Sequence, residues 1–206
     1  EEKSIMYLMA RAAKQAGTPA IRTSSIRDVI AIKEETGLPV IGLVKVQYPG
    51  YEGFITPTMK EVDDLVAAGS DIVALDCTLR KRGDGSTVNE FIAQIREKYP
   101  DIILMADISN YEEGVNAWKC GVDIVGTTMS GYTAYTSSVS DGPDYELMER
   151  LSWDINIPVI GEGRIHYPDQ AVKALQTGAW AIVVGGAITR PLEIAMRFQN
   201  AIKESR

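Results

Sequence analysis

The sequence predicts an α/β fold built on a parallel sheet, specifically a (β/α)8 barrel, and three observations carry that prediction. Short β-branched runs alternate with amphipathic helical patterns along the chain, and continuous apolar strands between helices are the pattern of a parallel sheet covered by helices. Glycine recurs just ahead of the strands, in Ala68-Gly-Ser-Asp-Ile-Val73, Cys120-Gly-Val-Asp-Ile-Val125 and Thr177-Gly-Ala-Trp-Ala-Ile182, where it ends a helix in a tight turn. Two later strands, Pro158-Val-Ile-Gly-Glu-Gly163 and Ala181-Ile-Val-Val-Gly-Gly-Ala-Ile-Thr-Arg190, run out into glycines. Such a strand end leaves backbone N–H groups free to cradle a phosphate at the positive end of the following helix.

The elements follow in order. A first helix spans residues 4–15, with Ile5, Leu8, Met9 and Ala12 at helical spacing. Strands are predicted at 20–22, 40–44, 72–75, 102–105, 124–125, 159–160 and 181–184, each an apolar run rich in Val and Ile. Thr58 with Glu61 and Ser109 with Glu112 have capping-box spacing and mark two helix starts. Pro191 suits the first turn of the last helix. An eight-fold barrel needs a strand ahead of the first helix, so an eighth strand is expected to precede Glu1. An open doubly wound sheet is the alternative.

At 206 residues and 45% hydrophobic content, the chain suffices for one substantial core, and a single domain over residues 1–206 is expected. A net charge of −7 without a Lys/Arg stripe argues against a nucleic-acid partner. Cys77 and Cys120 stand far apart without CxxC spacing, which suggests neither disulfide nor zinc site and fits a reducing cytoplasm. His166 is the sole histidine, excluding His-rich metal sites and a Ser-His-Asp triad. No apolar run reaches membrane-spanning length and no signal peptide is visible, so a soluble protein without a membrane partner is expected.

In a barrel, chemistry gathers where strands end, whereas residues that begin strands serve stability. Asp71, Asp101 and Asp123 begin strands and read as structural; Asp76, Asp107 and Glu162 close theirs and point toward a site. Lys45 ends the second strand, where partial burial would lower the pKa of its amine toward that of a general base, although a snorkelling surface lysine is the simpler alternative. Arg22 and Glu162 occupy matching ends of other strands, and Arg190 follows Gly185-Gly186. The hydroxyl-rich loop Gly126-Thr-Thr-Met-Ser-Gly-Tyr-Thr133 offers Thr128, Tyr132 and Thr133 to a sugar or phosphate, or is an ordinary turn. The basic run Arg80-Lys-Arg82 reads as a solvated face, with Asp76 ahead of it the functional exception. Cys77 reads as a buried structural thiol, and Trp118, Trp153 and Trp180 as packing between helix and sheet.

Taken together, Ala20-Ile-Arg22, Ile41-Gly-Leu-Val-Lys45, Ile55-Thr-Pro-Thr58, Ala74-Leu-Asp-Cys-Thr-Leu-Arg80, Met105-Ala-Asp107, Ile124-Val-Gly-Thr-Thr128, Ser130-Gly-Tyr-Thr133, Gly161-Glu-Gly-Arg164 and Val184-Gly-Gly-Ala-Ile-Thr-Arg190 resemble the N-acetylmannosamine-6-phosphate 2-epimerase family. The resemblance implies a (β/α)8 barrel that interconverts N-acetylmannosamine 6-phosphate and N-acetylglucosamine 6-phosphate in sialic-acid breakdown, with no metal or organic cofactor, as a homodimer. It makes Lys45 and Glu162 catalytic and Arg22 and Asp107 substrate-positioning residues. It places Gly163, Gly185, Gly186 and Arg190 at the phosphate. Family members often follow the lysine with Arg-Asp, where this chain has Val46-Gln47; their first strand, ending in Cys-Gln, has no counterpart in these residues. A Schiff-base aldolase or lyase on the same barrel and a silent phosphosugar-binding protein are the competing expectations.

Overall fold

The computed structural model describes residues 4–137 and 142–205. Its elements alternate along the chain: α1 (Met6–Gln15), β1 (Ile21–Ser24), α2 (Ile26–Thr36), β2 (Val40–Leu43), α3 (Met59–Ala67), β3 (Ile72–Asp76), α4 (Val88–Lys98), β4 (Ile103–Asp107), α5 (Tyr111–Lys119), β5 (Ile124–Gly126), α6 (Tyr145–Asp154), β6 (Val159–Gly161), α7 (Pro168–Gln176), β7 (Ala181–Ile182), α8 (Gly186–Thr189) and α9 (Pro191–Glu204). The seven strands pair in chain order, every pairing parallel. A doubly wound sheet reverses direction part-way. This order does not reverse; it is that of a (β/α) barrel, as the sequence predicts.

The period of two along each strand sorts the side chains into two layers. Val40, Val73, Leu75, Leu104, Ala106, Val125 and Val159 face the helices, where they pack against Ile32, Leu65, Ile92, Ile95 and Leu151. Ile41, Leu43, Ala74, Met105 and Ile160 face the concave side with Ile55 and Met129. Arg22, Asp76 and Asp107 share the parity of this inner layer, so the same alternation that fills the barrel also aims the charged strand ends inward.

Two of the three strand-opening carboxylates, Asp71 and Asp123, are structural, whereas Asp101 is exposed. Asp71 accepts the backbone N–H of Val40 at 2.8 Å and Lys33 Nζ at 2.7 Å; Asp123 accepts the N–H of Leu104 at 2.8 Å and Arg96 Nη2 at 2.5 Å. Each stitches the start of one strand to the next. Gly69, Gly121 and Gly178 have φ of 79°, 88° and 97°, the left-handed conformation that lets a helix end just before a strand.

Two local expectations need correction. The predicted box at Ser109 and Glu112 is displaced: Asn110 caps α5 by accepting the Glu113 N–H at 3.0 Å, and Glu113 rather than Glu112 reaches back to the Ser109 N–H at 2.7 Å. The box at Thr58 stands, with Glu61 accepting the Thr58 N–H at 3.0 Å. Of the three tryptophans only Trp118 packs on the core; Trp153 and Trp180 are 81% and 72% exposed. Trp153 ends α6 on its outer face, and Trp180 enters β7, the last strand of the described sheet, so no further element covers either among the described residues. None of the helices there is long and apolar enough to cross a membrane.

Candidate active site

Arg22 is the hub of the concave face. Its Nη2 donates to Asp107 Oδ2 at 2.7 Å, its Nη1 contacts Met105 Sδ at 3.3 Å, and its Nε lies 3.3 Å from Glu162 Oε2. Asp107 is fully buried and its second oxygen accepts Thr128 Oγ1 at 2.6 Å. Asp107 at the end of β4 and Thr128 and Glu162 just past β5 and β6 therefore form one network with Arg22, which lies not at a strand end, as expected, but inside β1, two residues short of its end. Gly126 makes room for it: a Cβ there would collide with the Met105 methyl and come within 3.2 Å of Thr128 Oγ1.

Burial and neighbouring charges shift Arg22 and Glu162 in the same direction for different reasons. Burial opposes the Arg22 charge, but Asp107 and Glu162 outweigh it and hold the guanidinium above its ordinary range. In Glu162 burial is the dominant cause. Burial raises its carboxyl and Asp107 adds to the rise, against the downward pulls of Arg22, Thr128 and Lys45, leaving it pushed up to about 7. Its Oε2 is buried and accepts no hydrogen bond among the described residues. Thr127 Oγ1 fixes the backbone beneath it, accepting the Glu162 N–H at 3.1 Å and donating to the Glu162 carbonyl at 2.9 Å.

Lys45 corrects one expectation: its side chain is exposed, not part-buried. β2 ends at Leu43, and Lys45 stands beyond the sheet rim in an antiparallel bridge to Ile55. Its charge is nevertheless felt at Glu162, which puts the two on the same mouth of the barrel.

Asp76 shares the inner face but is occupied by its own loop, accepting the Thr78 N–H at 3.1 Å, Thr78 Oγ1 at 2.6 Å and Arg80 Nη2 at 2.5 Å. Burial raises its carboxyl despite these partners. The basic run that follows is not a solvated face. Arg80 pairs with Asp76, and Arg82 is buried, its guanidinium 4.0 Å from the centre of the Phe91 ring and donating to the Pro57 carbonyl; only Lys81 is exposed. Cys77 is fully buried, as expected, and burial lifts its thiol well above the ordinary value.

The hydroxyl loop divides. Thr128 joins the Arg22 network; Thr133 is buried with its Oγ1 2.6 Å from Thr136 Oγ1, and Tyr132 is exposed with the Arg164 guanidinium 5.7 Å from its ring. The residue missed in the sequence is Glu113. It is 1% exposed and accepts from Ser109 N and Oγ, Tyr135 Oη and Leu79 N, tying three strand-end loops together. A helical glutamate carries no sign of such burial in sequence.

At the other end, Gly163 has a φ of 101°, Gly185 precedes the single turn α8, and Arg190 is exposed with Nη1 2.8 Å from Glu193 Oε1. Among the described residues no group of three or more His, Cys, Asp or Glu side chains could hold a metal ion.

The chain is 55% identical over 202 residues to a "Putative N-acetylmannosamine-6-phosphate 2-epimerase" of Caldanaerobacter subterraneus, covering 98% of this chain and 85% of the relative. It is 50% identical over 199 residues to a relative of the same description from Clostridium perfringens, covering 97% and 89%. A solved structure of the N-acetylmannosamine-6-phosphate 2-epimerase from Clostridium perfringens superimposes with a TM-score of 0.90 at 49% identity, over 96% of this chain and 85% of that one. Thiamine phosphate pyrophosphorylase from Pyrococcus furiosus, at a TM-score of 0.61 and 21% identity over 88% of this chain and 79% of that one, shares the fold alone. The profile of the family described as "Putative N-acetylmannosamine-6-phosphate epimerase" matches residues 6–204. The chain belongs to this family, the N-acetylmannosamine-6-phosphate epimerases.

Proposed function

We propose that this protein is an N-acylglucosamine-6-phosphate 2-epimerase, interconverting N-acetylmannosamine 6-phosphate and N-acetylglucosamine 6-phosphate by removing and returning the C2 proton. The observation that carries this reading is the charged network Arg22–Asp107–Glu162 on the concave face, with Lys45 on the same rim, in a chain of this family.

C2–H is acidic only beside a carbonyl, so the reactive form is the open-chain aldehyde. Lys45, as the neutral amine, takes the C2 proton, and the electron pair passes to the aldehyde oxygen as an enolate. Return of a proton to the opposite face gives the epimer, and no atom is gained or lost. Glu162, titrating near neutral pH, suits proton transfer at a sugar hydroxyl during ring opening or at C2 from the other face. Arg22 and Asp107, with Thr128, hold the ring oxygens and N-acetyl group. Asp76 and Tyr132 line the approach, while Thr133, expected to join them, stays buried in its own loop, and Gly163, Gly185, Gly186 and Arg190 take the phosphate. The exposed lysine stands at the rim, where a bound sugar can meet it. We further infer a cytoplasmic homodimer, in keeping with the free thiols of Cys77 and Cys120.

Proton NMR with N-acetylmannosamine 6-phosphate in D2O tests the reading. N-acetylglucosamine 6-phosphate carrying deuterium at C2 is expected, with the rate falling by about 10²–10⁴-fold in Lys45→Ala. A sugar phosphate that binds but neither epimerises nor exchanges would exclude the assignment.

A further inference from the structure

Within the motif Ile55-Thr-Pro-Thr58, whose Ile55 bridges Lys45, Thr56 is unusual. Thr56 is fully buried and adopts a φ of 47°. The left-handed region is rare for any residue but glycine or asparagine, and a β-branched side chain there is a true outlier. Strain of this kind persists only where the surroundings over-determine it, and it gathers at functional sites. Here three hydrogen bonds do so. The Thr56 N–H donates to the Val44 carbonyl at 2.7 Å, its Oγ1 accepts the Val44 N–H at 3.2 Å, and the same Oγ1 donates to the Ala74 carbonyl at 2.7 Å.

The target of these bonds matters more than their number. Both backbone polar groups of Val44 are held by one residue, and Val44 immediately precedes Lys45. On the far side of Lys45, the Val46 N–H donates to the Phe54 carbonyl at 3.0 Å. Lys45 is thus flanked by anchors to the 54–56 segment although its own side chain is exposed. Thr56 also bonds to β3 at Ala74, and the Asp76 N–H donates to the Ile55 carbonyl at 2.9 Å. The lysine's backbone is thereby registered against β3, the strand that ends in Asp76. Glycine would relieve the strain but lacks the γ-oxygen that serves Val44 and Ala74 together.

We propose that Thr56 is the positioning residue of Lys45: its hydroxyl, held in a strained backbone, fixes where the Lys45 amine leaves the rim and so where it meets C2. This rests on Lys45 as the C2 base. Thr56 does not touch the substrate; it acts through the backbone of Val44. A misplacement of about 1 Å at a catalytic group costs about 10²-fold in rate.

The test compares steady-state kinetics of Thr56→Val, Thr56→Ser and Lys45→Ala, with circular dichroism and Tm measured on each. Thr56→Val keeps the β-branch and removes the hydroxyl; it is expected to lose about 10- to 100-fold in kcat with KM within about twofold, because the phosphate and sugar contacts are untouched. Thr56→Ser restores the hydroxyl and should recover kcat to within about threefold. Thr56→Cys, with a weaker donor at the same position, covers the case in which Thr56→Val does not fold, and an intermediate kcat is expected. Wild-type kcat in Thr56→Val or Thr56→Cys, or a Thr56→Ser as slow as Thr56→Val, overturns the proposal while an inactive Lys45→Ala leaves the base assignment standing. A Lys45→Ala protein that still epimerises overturns both.

Discussion

Arg22 and Asp107, 85 residues apart, meet in a 2.7 Å ion pair with side-chain exposures of 6% and 0%. The pair bears on a third residue. The guanidinium donates its hydrogen bond to Asp107 and only approaches Glu162 at 3.3 Å; Glu162 keeps a buried oxygen without a donor among the described residues, and burial, with Asp107 adding to it against the pull of Arg22, raises its carboxyl toward neutrality.

Removing Arg22 should therefore cost stability as well as activity. Arg22→Gln leaves Asp107 buried without its counter-charge, and breaking a buried pair costs about 3–5 kcal/mol. Urea denaturation at pH 7 is expected to report a loss of that order, with Arg22→Lys recovering part of it because the charge returns without the planar fork. A Gln variant as stable as the wild type would show that the pair contributes nothing.

Glu162 should impose a pH dependence of known sign. Its carboxyl rises from 4.5 to about 7 on folding, so the folded state favours the protonated form. The associated stability is complete below about pH 4.5 and is lost as pH rises to about 7. Wild-type Tm is thus expected to fall across that window relative to Glu162→Gln, and kcat/KM should inflect near pH 7 in the wild type alone. A Tm difference that does not vary with pH would be the contrary result.

Gly126→Ala probes the space around the network. The new Cβ displaces the Met105 methyl, and with it the sulfur that touches Arg22. Overpacking of this kind costs about 1–3 kcal/mol; thermal unfolding is expected to reveal a loss in that range together with slower epimerisation.

If phosphate anchoring at Gly163, Gly185, Gly186 and Arg190 drives the reaction, the unphosphorylated sugar should suffer in kcat and not only in KM, since remote binding energy is used to orient the reacting carbon. A side-by-side comparison of N-acetylmannosamine and its 6-phosphate measures this. Equal turnover numbers would remove the phosphate end from the mechanism.

Much of the fold was legible in the linear chain because it is written in local pattern. Apolar runs placed all seven described strands to within a few residues, glycines ahead of Asp71, Asp123 and Trp180 marked the helix ends, and the strand ends pointed to Asp107 and Glu162, whereas Arg22, expected at a strand end, lies inside β1. Period-two alternation and left-handed glycines depend on neighbours a few positions away, and so can be read there.

What only the tertiary structure decided depends on which distant segments meet. Lys45 is exposed because β2 stops short of it; Asp76 is occupied because Arg80 folds back onto it; Arg82 is buried because Phe91 and Pro57 receive it. Glu162 titrates near neutrality through burial and the field of Asp107, and Thr56 is strained through bonds to Val44 and Ala74. Burial, through-space charge and backbone strain are properties of three-dimensional neighbourhoods, which residue order constrains without displaying.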